Sequence, residues 1–450
     1  MSKDIKIKKG LNIRLKGEAD KTLSKSPRSR TYVIRPSDFH LITPKLAVRE
    51  GAKLQAGDVI FYSKANEDIK FVSPVSGTLI TIERGAKRVI KEIIIEADQQ
   101  DVYKDFGVVN VTSMKTEEIK NHLLTSGCWA FIKQRPYDVI ADPAVMPKAI
   151  FVSAYTTAPL AADYDFTLTG KEKELQAAVT AFSKLTNGTV HVSVGANSNN
   201  VFNGMSDISV HKVSGIHPAG NVGTQIGEID PVNKGEVVWT VTPQDLVIIG
   251  ELLLTGKFNA ERVIALAGSS VKAPKYYTTK IGAEVSTFVY DSGLNEENVR
   301  VISGNILSGE KTSLKGHLGY YPNTVTVIPE GDDYELFGWL VPVFKKESIT
   351  RALTFSWMSS KKEYTLDTNT NGEHRAFVLT GNYEQVFPLD IFPMQILKAC
   401  MVGDLDNMEA LGMYEVAPED FALTEFVCVS KQPHQKIIRD GLDLMYKEIG

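Results

Sequence analysis

Residues 48–85 read VREGAKLQAGDVIFYSKANEDIKFVSPVSGTLITIERG. Two halves follow one another here, each with a turn, a short apolar run and a second turn, and the turns are supplied by Gly57-Asp58 and by SPVSG at 73–77. This spacing is that of a flattened β-barrel.

Such a frame resembles the swinging-arm carrier domains, which present an acceptor lysine at the tip of the hairpin between the two turns. The tip here reads Ser63, Lys64, Ala65, Asn66, without the Met-Lys or Asp-Lys-Ala signature that a lipoyl or biotinyl ligase reads. Lys64 is therefore taken as a solvated turn lysine, because a fold by itself does not confer a function.

With 450 residues, 43% hydrophobic and 23% charged, and a formal net charge of −4, the chain has the make-up of an ordinary soluble protein of about three domains. No run of 18 apolar residues occurs, and MSKDIKIKKG carries charges where a signal peptide needs its apolar core. The expectation is a chain that stays in the cytosol and does not itself cross a membrane. Cys128, Cys400 and Cys428 form no CxxC pair, which excludes a self-contained cluster on four thiolates and favours buried, reduced thiols.

The first thirty residues hold ten Lys/Arg, whereas 402–428 holds seven acids and no base. A basic lobe could rest on anionic lipid or nucleic acid. Yet Lys6, Lys8 and Lys9 alternate with Ile5 and Ile7 as in a strand with one wet face, and no aromatic or helix-turn-helix pattern supports nucleic-acid binding.

Beyond residue 101 the period changes. A helix is expected over 116–124, capped by Thr116 ahead of Glu117 and Glu118, then a strand over 149–155, a helix over 171–185 and a strand over 189–194. A further strand at 237–241 precedes the apolar 246–254, where Asp245 can cap a helix. Helices alternating with buried strands indicate an open α/β sheet. From Arg262 short strands broken by glycine suit a small β-grasp module. The last seventy residues turn helical, with Pro393 and Pro418 at first-turn positions and one apolar stripe of Ile437, Ile438, Leu442, Met445 and Ile449.

Several patterns approach known sites and fall short. Gly304-Asn-Ile-Leu-Ser-Gly309-Glu310-Lys311-Thr312 nearly spells a P-loop, but Glu310 stands where a lysine must reach the phosphates. Gly220-Asn-Val-Gly223 with Gly227 lacks the GxGxxG order. His211 and His217 have no third ligand at metal spacing, HExxH is absent, and Gly204-Met-Ser206-Asp lacks the closing glycine of GxSxG. His217-Pro218-Ala-Gly220 is a turn whose backbone amides can meet a carbonyl or an anion, or can simply be structural.

The segments SGIHPAGNVGTQIGEIDPV, VVWTVTPQDLVIIGELLLTG, RVIALAGSSVKAP, VISGNILSG, ELFGWL, YEQVFPLDIFP and EFVCVSK follow one another along the whole chain. In this it resembles the A subunits of the sodium-translocating NADH:quinone oxidoreductases. That family is related in turn to the C subunits of Rnf complexes and to the NADH-binding flavin subunit of complex I. The resemblance implies a peripheral subunit on the cytoplasmic face of the bacterial inner membrane. The complex as a whole uses FAD, FMN, riboflavin and iron–sulfur or iron centres to pass electrons from NADH to quinone and export sodium.

Departures from the redox relatives are specific. Where those carry a flavin loop of the GGAGFPT type, this chain reads SGCWAFIKQRP at 126–136, and Trp129 and Phe131 block the close backbone approach that FMN phosphate needs. Only Cys428 falls in the region of the relatives' cluster cysteines.

The implied architecture is multidomain α/β plus β. It comprises a biotinyl/lipoyl-like barrel-sandwich hybrid at 1–100, a Rossmann-like α/β domain lacking the flavin loop at 101–257, an SLBB-type β-grasp domain at 258–335, and a linker with a C-terminal helical domain at 336–450. The implied function is a cofactor-free subunit, inactive alone, that contributes to assembly and to quinone binding. Its implied partners are the other subunits, chiefly the integral membrane quinone-reducing one. The quinone-facing candidates are Ser153, Pro159, Asp163, His217, Pro218, Gly220, Asn221 and Gly223, with no catalytic, cofactor-binding or metal residue. Alternatives from other classes are a carrier protein modified at Lys64 and an independent NADH-flavin dehydrogenase.

Overall fold

The computed structural model describes residues 2–332 and 362–450. The ELFGWL segment and the boundary expected at 335/336 lie outside the described residues.

The barrel forms where the turn spacing requires it. A four-stranded sheet of Thr31–Ile34, Ile90–Ala97, Gly77–Arg84 and Lys53–Leu54 faces a three-stranded sheet of Pro44–Leu46, Val59–Ser63 and Lys70–Val72. The two turns read from the sequence close on each other: the Gly57 amide donates to the Ser73 carbonyl and the Ser73 amide to the Asp58 carbonyl. Lys64 is exposed in the turn beyond Val59–Ser63.

The α/β unit is built on a seven-stranded sheet ordered Asp4–Ile7, Ser209–Gly215, Val190–Gly195, Ala149–Ala154, Val238–Thr240, Lys133–Arg135, Val139–Ile140. The first five strands run parallel and the last two antiparallel. Ile5 and Ile7 are buried while Asp4 and Lys6 are exposed, so the basic alternation at the amino end is one wet strand face. Its register, Asp4 opposite Lys212, places it at a sheet edge, where lysines discourage pairing with another chain. The Asp20–Lys25 strand joins a different sheet, beside Lys275–Lys280 in the six-stranded β-grasp sheet.

Helix ends differ from expectation for local reasons. The helix Thr116–Thr125 starts at Thr116, so Thr116 is not its cap. The Lys115 amide donates to the Glu118 carboxylate at 2.7 Å, and the Thr116 hydroxyl is used on the Lys184 carbonyl. Likewise the helix Pro243–Thr255 is capped by Thr242, whose hydroxyl accepts from the Asp245 amide. Asp245 lies inside the first turn, and Arg262 donates to its carboxylate at 2.7 Å with both side chains almost fully buried. In the C-terminal unit Pro393 and Pro418 occupy first-turn positions. Ile438, Leu442 and Met445 are buried in the helix His434–Glu448, but Ile449 follows its last residue and is exposed.

One core joins the barrel to the α/β unit. Phe61 stacks on Phe71, Phe71 meets Phe39, Phe39 meets the edge of Tyr320, and Tyr320 stacks on Phe131. The helical unit has a core of its own. Among the described residues no helix is long and apolar enough to cross a membrane.

Candidate functional site

In the parallel sheet the chain leaves Ala149–Ala154 for Val190–Gly195 and then Ser209–Gly215 on one side, and returns through Val238–Thr240 on the other. The order therefore reverses at the carboxyl ends of Ala149–Ala154 and Val238–Thr240. In open α/β sheets the crevice at such a reversal is where ligands bind, because the adjoining loops diverge there. A cavity of about 960 Å³ opens at this point. Ser153, Tyr155 and Thr242 line it at the strand ends, together with Asp38 of the barrel, Tyr320 of the β-grasp unit and Glu419 of the helical unit.

Of the candidate residues, Ser153, Gly220 and Asn221 line this cavity. The Ser153 hydroxyl donates to the Gly220 carbonyl at 2.8 Å and accepts from the Gln225 amide at 2.8 Å, which ties the strand end to the following helix. Asn221 is the N-cap of the helix Val222–Ile229, and its half-buried side chain caps nothing and has no hydrogen-bond partner among the described residues. Asp163 lines a neighbouring pocket of about 580 Å³, where Lys21 pairs with it at 2.5 Å.

Pro159, His217, Pro218 and Gly223 line neither cavity. His217 is 2% exposed, and burial lowers its pKa to about 4, so the ring is neutral. Its Nδ1 lies 3.0 Å from the Thr157 hydroxyl, which also accepts the Gly220 amide at 2.8 Å. Thr157 lines the cavity, so His217 acts on it only from behind the wall. The glycines of this turn serve close packing, although Gly220 also presents its backbone to the cavity. A Cβ on Gly220 would stand 2.6 Å from the Thr157 nitrogen, and one on Gly223 would stand 2.3 Å from Asp420 Oδ1 and 2.4 Å from Arg135 Nη1.

The near-P-loop also borders the cavity, but it links the strands Val299–Ser303 and Glu310–Thr312 as a hairpin, whereas a P-loop leads into a helix. The Leu307 and Ser308 amides, which would face a phosphate, donate to the Asn305 side chain. His211 bonds a second imidazole, His191, at 2.9 Å, and no group of three metal-ligating side chains occurs among the described residues. Trp129 is buried and donates its indole N–H to the Ala141 carbonyl at 2.8 Å, while Phe131 lines the cavity.

The charged part of the cavity wall is not legible as a site in the sequence, where Arg135 belongs to a bulky segment and Glu419 and Asp420 to an acidic run. Arg135, with a 2% exposed side chain, holds Asp420 at 2.7 Å and Glu419 at 3.1 Å. Desolvation in the crowded wall and the neighbouring Asp420 raise the Glu419 carboxyl against the pull of Arg135, although 42% of its side chain stays exposed. Burial likewise raises the Asp38 carboxyl to about 6, although it accepts the Tyr320 amide and lies near Arg35.

Three family descriptions match along the chain: "NqrA N-terminal barrel-sandwich hybrid domain" at 5–98, "NqrA second alpha/beta domain" at 114–258, and "NQRA C-terminal domain", of SLBB type, at 263–313. The A subunit of the Na(+)-translocating NADH-quinone reductase of Yersinia pestis bv. Antiqua is 36% identical over 447 residues, 99% of this chain and 100% of that protein. Its counterpart in Neisseria meningitidis serogroup A is 37% identical over the same shares. The chain belongs to the NqrA family, the A subunits of Na(+)-translocating NADH-quinone reductases. The expected barrel-sandwich, α/β and SLBB-type architecture with C-terminal helices is that of the family and of the structure alike. Among solved structures, an air-oxidized NAD+-reducing [NiFe]-hydrogenase matches 41% of each chain at 11% identity with a TM-score of 0.30.

Proposed function

We propose that the chain is a peripheral subunit of a sodium-translocating NADH-quinone reductase that holds no flavin or iron itself, and that its switch-point cavity receives a quinone head. The observation that carries this reading is the Asn221 side-chain amide, at the cavity wall with no partner among the described residues. An amide N–H donates to a quinone carbonyl, and Tyr155 in the same lining supplies a ring contact. His217, Pro218 and Gly223 serve this site by fixing the wall, and Pro159 and Asp163 by shaping the adjoining loop.

The flavins and iron then reside in other subunits, and this chain docks at the cytoplasmic face of the inner membrane on the integral quinone-reducing subunit. The lack of a spanning helix among the described residues suits such attachment. Family membership supports the assembly role.

In the assembled complex Asn221→Ala should raise the apparent quinone KM roughly two- to tenfold, because one neutral hydrogen bond contributes about 0.5–1.5 kcal/mol. NADH oxidation with an artificial acceptor should not change. Unaltered quinone kinetics in the fully assembled variant would remove quinone from this cavity. An absorption spectrum of the purified chain tests the other half of the proposal, and stoichiometric flavin or iron would overturn it.

A further inference from the structure

The helix Val222–Ile229 begins with amides that have no partner within the helix, so its amino end carries partial positive charge. No side chain of its own caps it. The group facing this end comes from the other end of the chain. Asp420, 5% exposed, places Oδ1 2.3 Å from where a Gly223 Cβ would stand. That Oδ1 is buried and makes no hydrogen bond. The other oxygen, Oδ2, accepts from Arg135 at 2.7 Å and from the Ala417 amide at 2.8 Å. A guanidinium bonded to one oxygen of a buried carboxylate, with the other oxygen lying unbonded against the first turn of a helix, has the make-up of an oxyanion-binding site, to which the helix contributes the field of its positive end and no amide hydrogen bond.

We propose that Arg135 and the amino end of the Val222–Ile229 helix form an oxyanion-binding site, which Asp420 of the C-terminal helical unit fills in cis. Docking of that unit is then an intramolecular binding event, with the 3₁₀ turn Pro418–Phe421 carrying the anion. Glycine at 223 is required because any Cβ would occupy the anion's place. Arg135 and Glu419 line the cavity, so the plug forms one side of it, and a ligand carboxylate that reached Arg135 would compete with the plug. The oxyanion site stands independently of quinone binding, since it concerns only what holds the helical unit over the cavity.

The test uses the full chain and small anions. Asp420→Ala leaves a carboxylate-sized space beside a buried guanidinium, and formate is the probe that fills it. Melting of Asp420→Ala should fall by several degrees, and formate should restore it saturably over tens of millimolar, whereas chloride at equal ionic strength should not. Wild type and Arg135→Met/Asp420→Ala should respond alike to the two salts. If Asp420→Ala does not fold without additives, refolding yield replaces melting as the readout, with recovery in formate alone supporting the site. Equal effects of formate and chloride on Asp420→Ala, by either readout, would overturn the proposal.

Discussion

At the scale of single residues, the cavity is marked by carboxyls whose ionisation the surroundings disfavour. Asp38 faces Arg35, Glu92 and Glu310, and burial outweighs the Arg35 charge and the Tyr320 amide to set its value near 6. An unfolded aspartate titrates near 3.9, so the folded chain binds this proton more tightly. The consequence is a penalty absent below about pH 4 that grows as pH rises to about 6 and stays constant above it, on the order of 3 kcal/mol at most. Asp38→Asn keeps an oxygen for the Tyr320 amide and removes the titration. Its stability relative to wild type in urea unfolding should therefore improve between pH 4 and pH 7, and a difference that does not vary with pH would mean the carboxyl is not held protonated. The same reasoning explains why the sequence does not reveal this residue: Asp38 lies in a short 3₁₀ turn of the barrel, and Tyr320 reaches it from 282 positions away.

At the scale of elements, two helices set the thickness of the α/β layer. The helices Glu172–Ser183 and Pro243–Thr255 cross where Gly250 meets the Glu174 carbonyl, and a Cβ there would stand 1.8 Å from that oxygen. Backbone cannot yield as a flexible side chain can, so Gly250→Ala should cost about 1–3 kcal/mol by overpacking despite alanine's better helix propensity. Equilibrium unfolding measures this, and a neutral or stabilising result would show that the helices can part. Both helices are visible in the sequence, the first because its apolar positions recur at helical spacing and the second as an apolar run behind a capping candidate. Helix ends are less visible: Asp245 of Pro243–Thr255, like Thr116 of the separate helix Thr116–Thr125, looks like a cap but is engaged elsewhere, by Arg262 and by the Lys184 carbonyl respectively.

At the scale of the whole molecule, the helical unit touches every other unit. Asp443 bonds His40 of the barrel, Arg439 bonds the Tyr137 carbonyl and Asp138 of the α/β unit, and Gln435 donates to the Leu307 carbonyl of the β-grasp hairpin. The acidic run at 402–428 is largely used in this way and in capping. Asp404 caps the helix Leu405–Ala410, Glu409 pairs with Lys234, and Glu419 and Asp420 pair with Arg135. If the chain docks on membrane subunits as proposed, the attachment is expected to rest on polar and mixed surfaces, since no helix among the described residues is long and apolar enough to span. Washing membranes in high salt or alkali should then release the chain, since exposed charge pairs are screened by salt. Retention under every detergent-free wash would require an inserted or covalent anchor.

What the sequence determined by itself is local and periodic. The glycine-turn spacing at 48–85 dictated the barrel, alternation gave the wet strand at Ile5 and Ile7, and helical spacing gave the stripe of Ile438, Leu442 and Met445. Family motifs along the whole length dictated the rest of the architecture. The tertiary structure decided which residues meet. Ser153, Gly220 and Asn221 share one cavity because the strand order reverses beside them, while His217, six residues beyond His211, turns inward behind Thr157. Arg135 and Asp420, 285 positions apart, form one buried site. Spacing along a chain reports neighbours on one element, and a pairing across units depends on how separate cores pack, which no local pattern encodes.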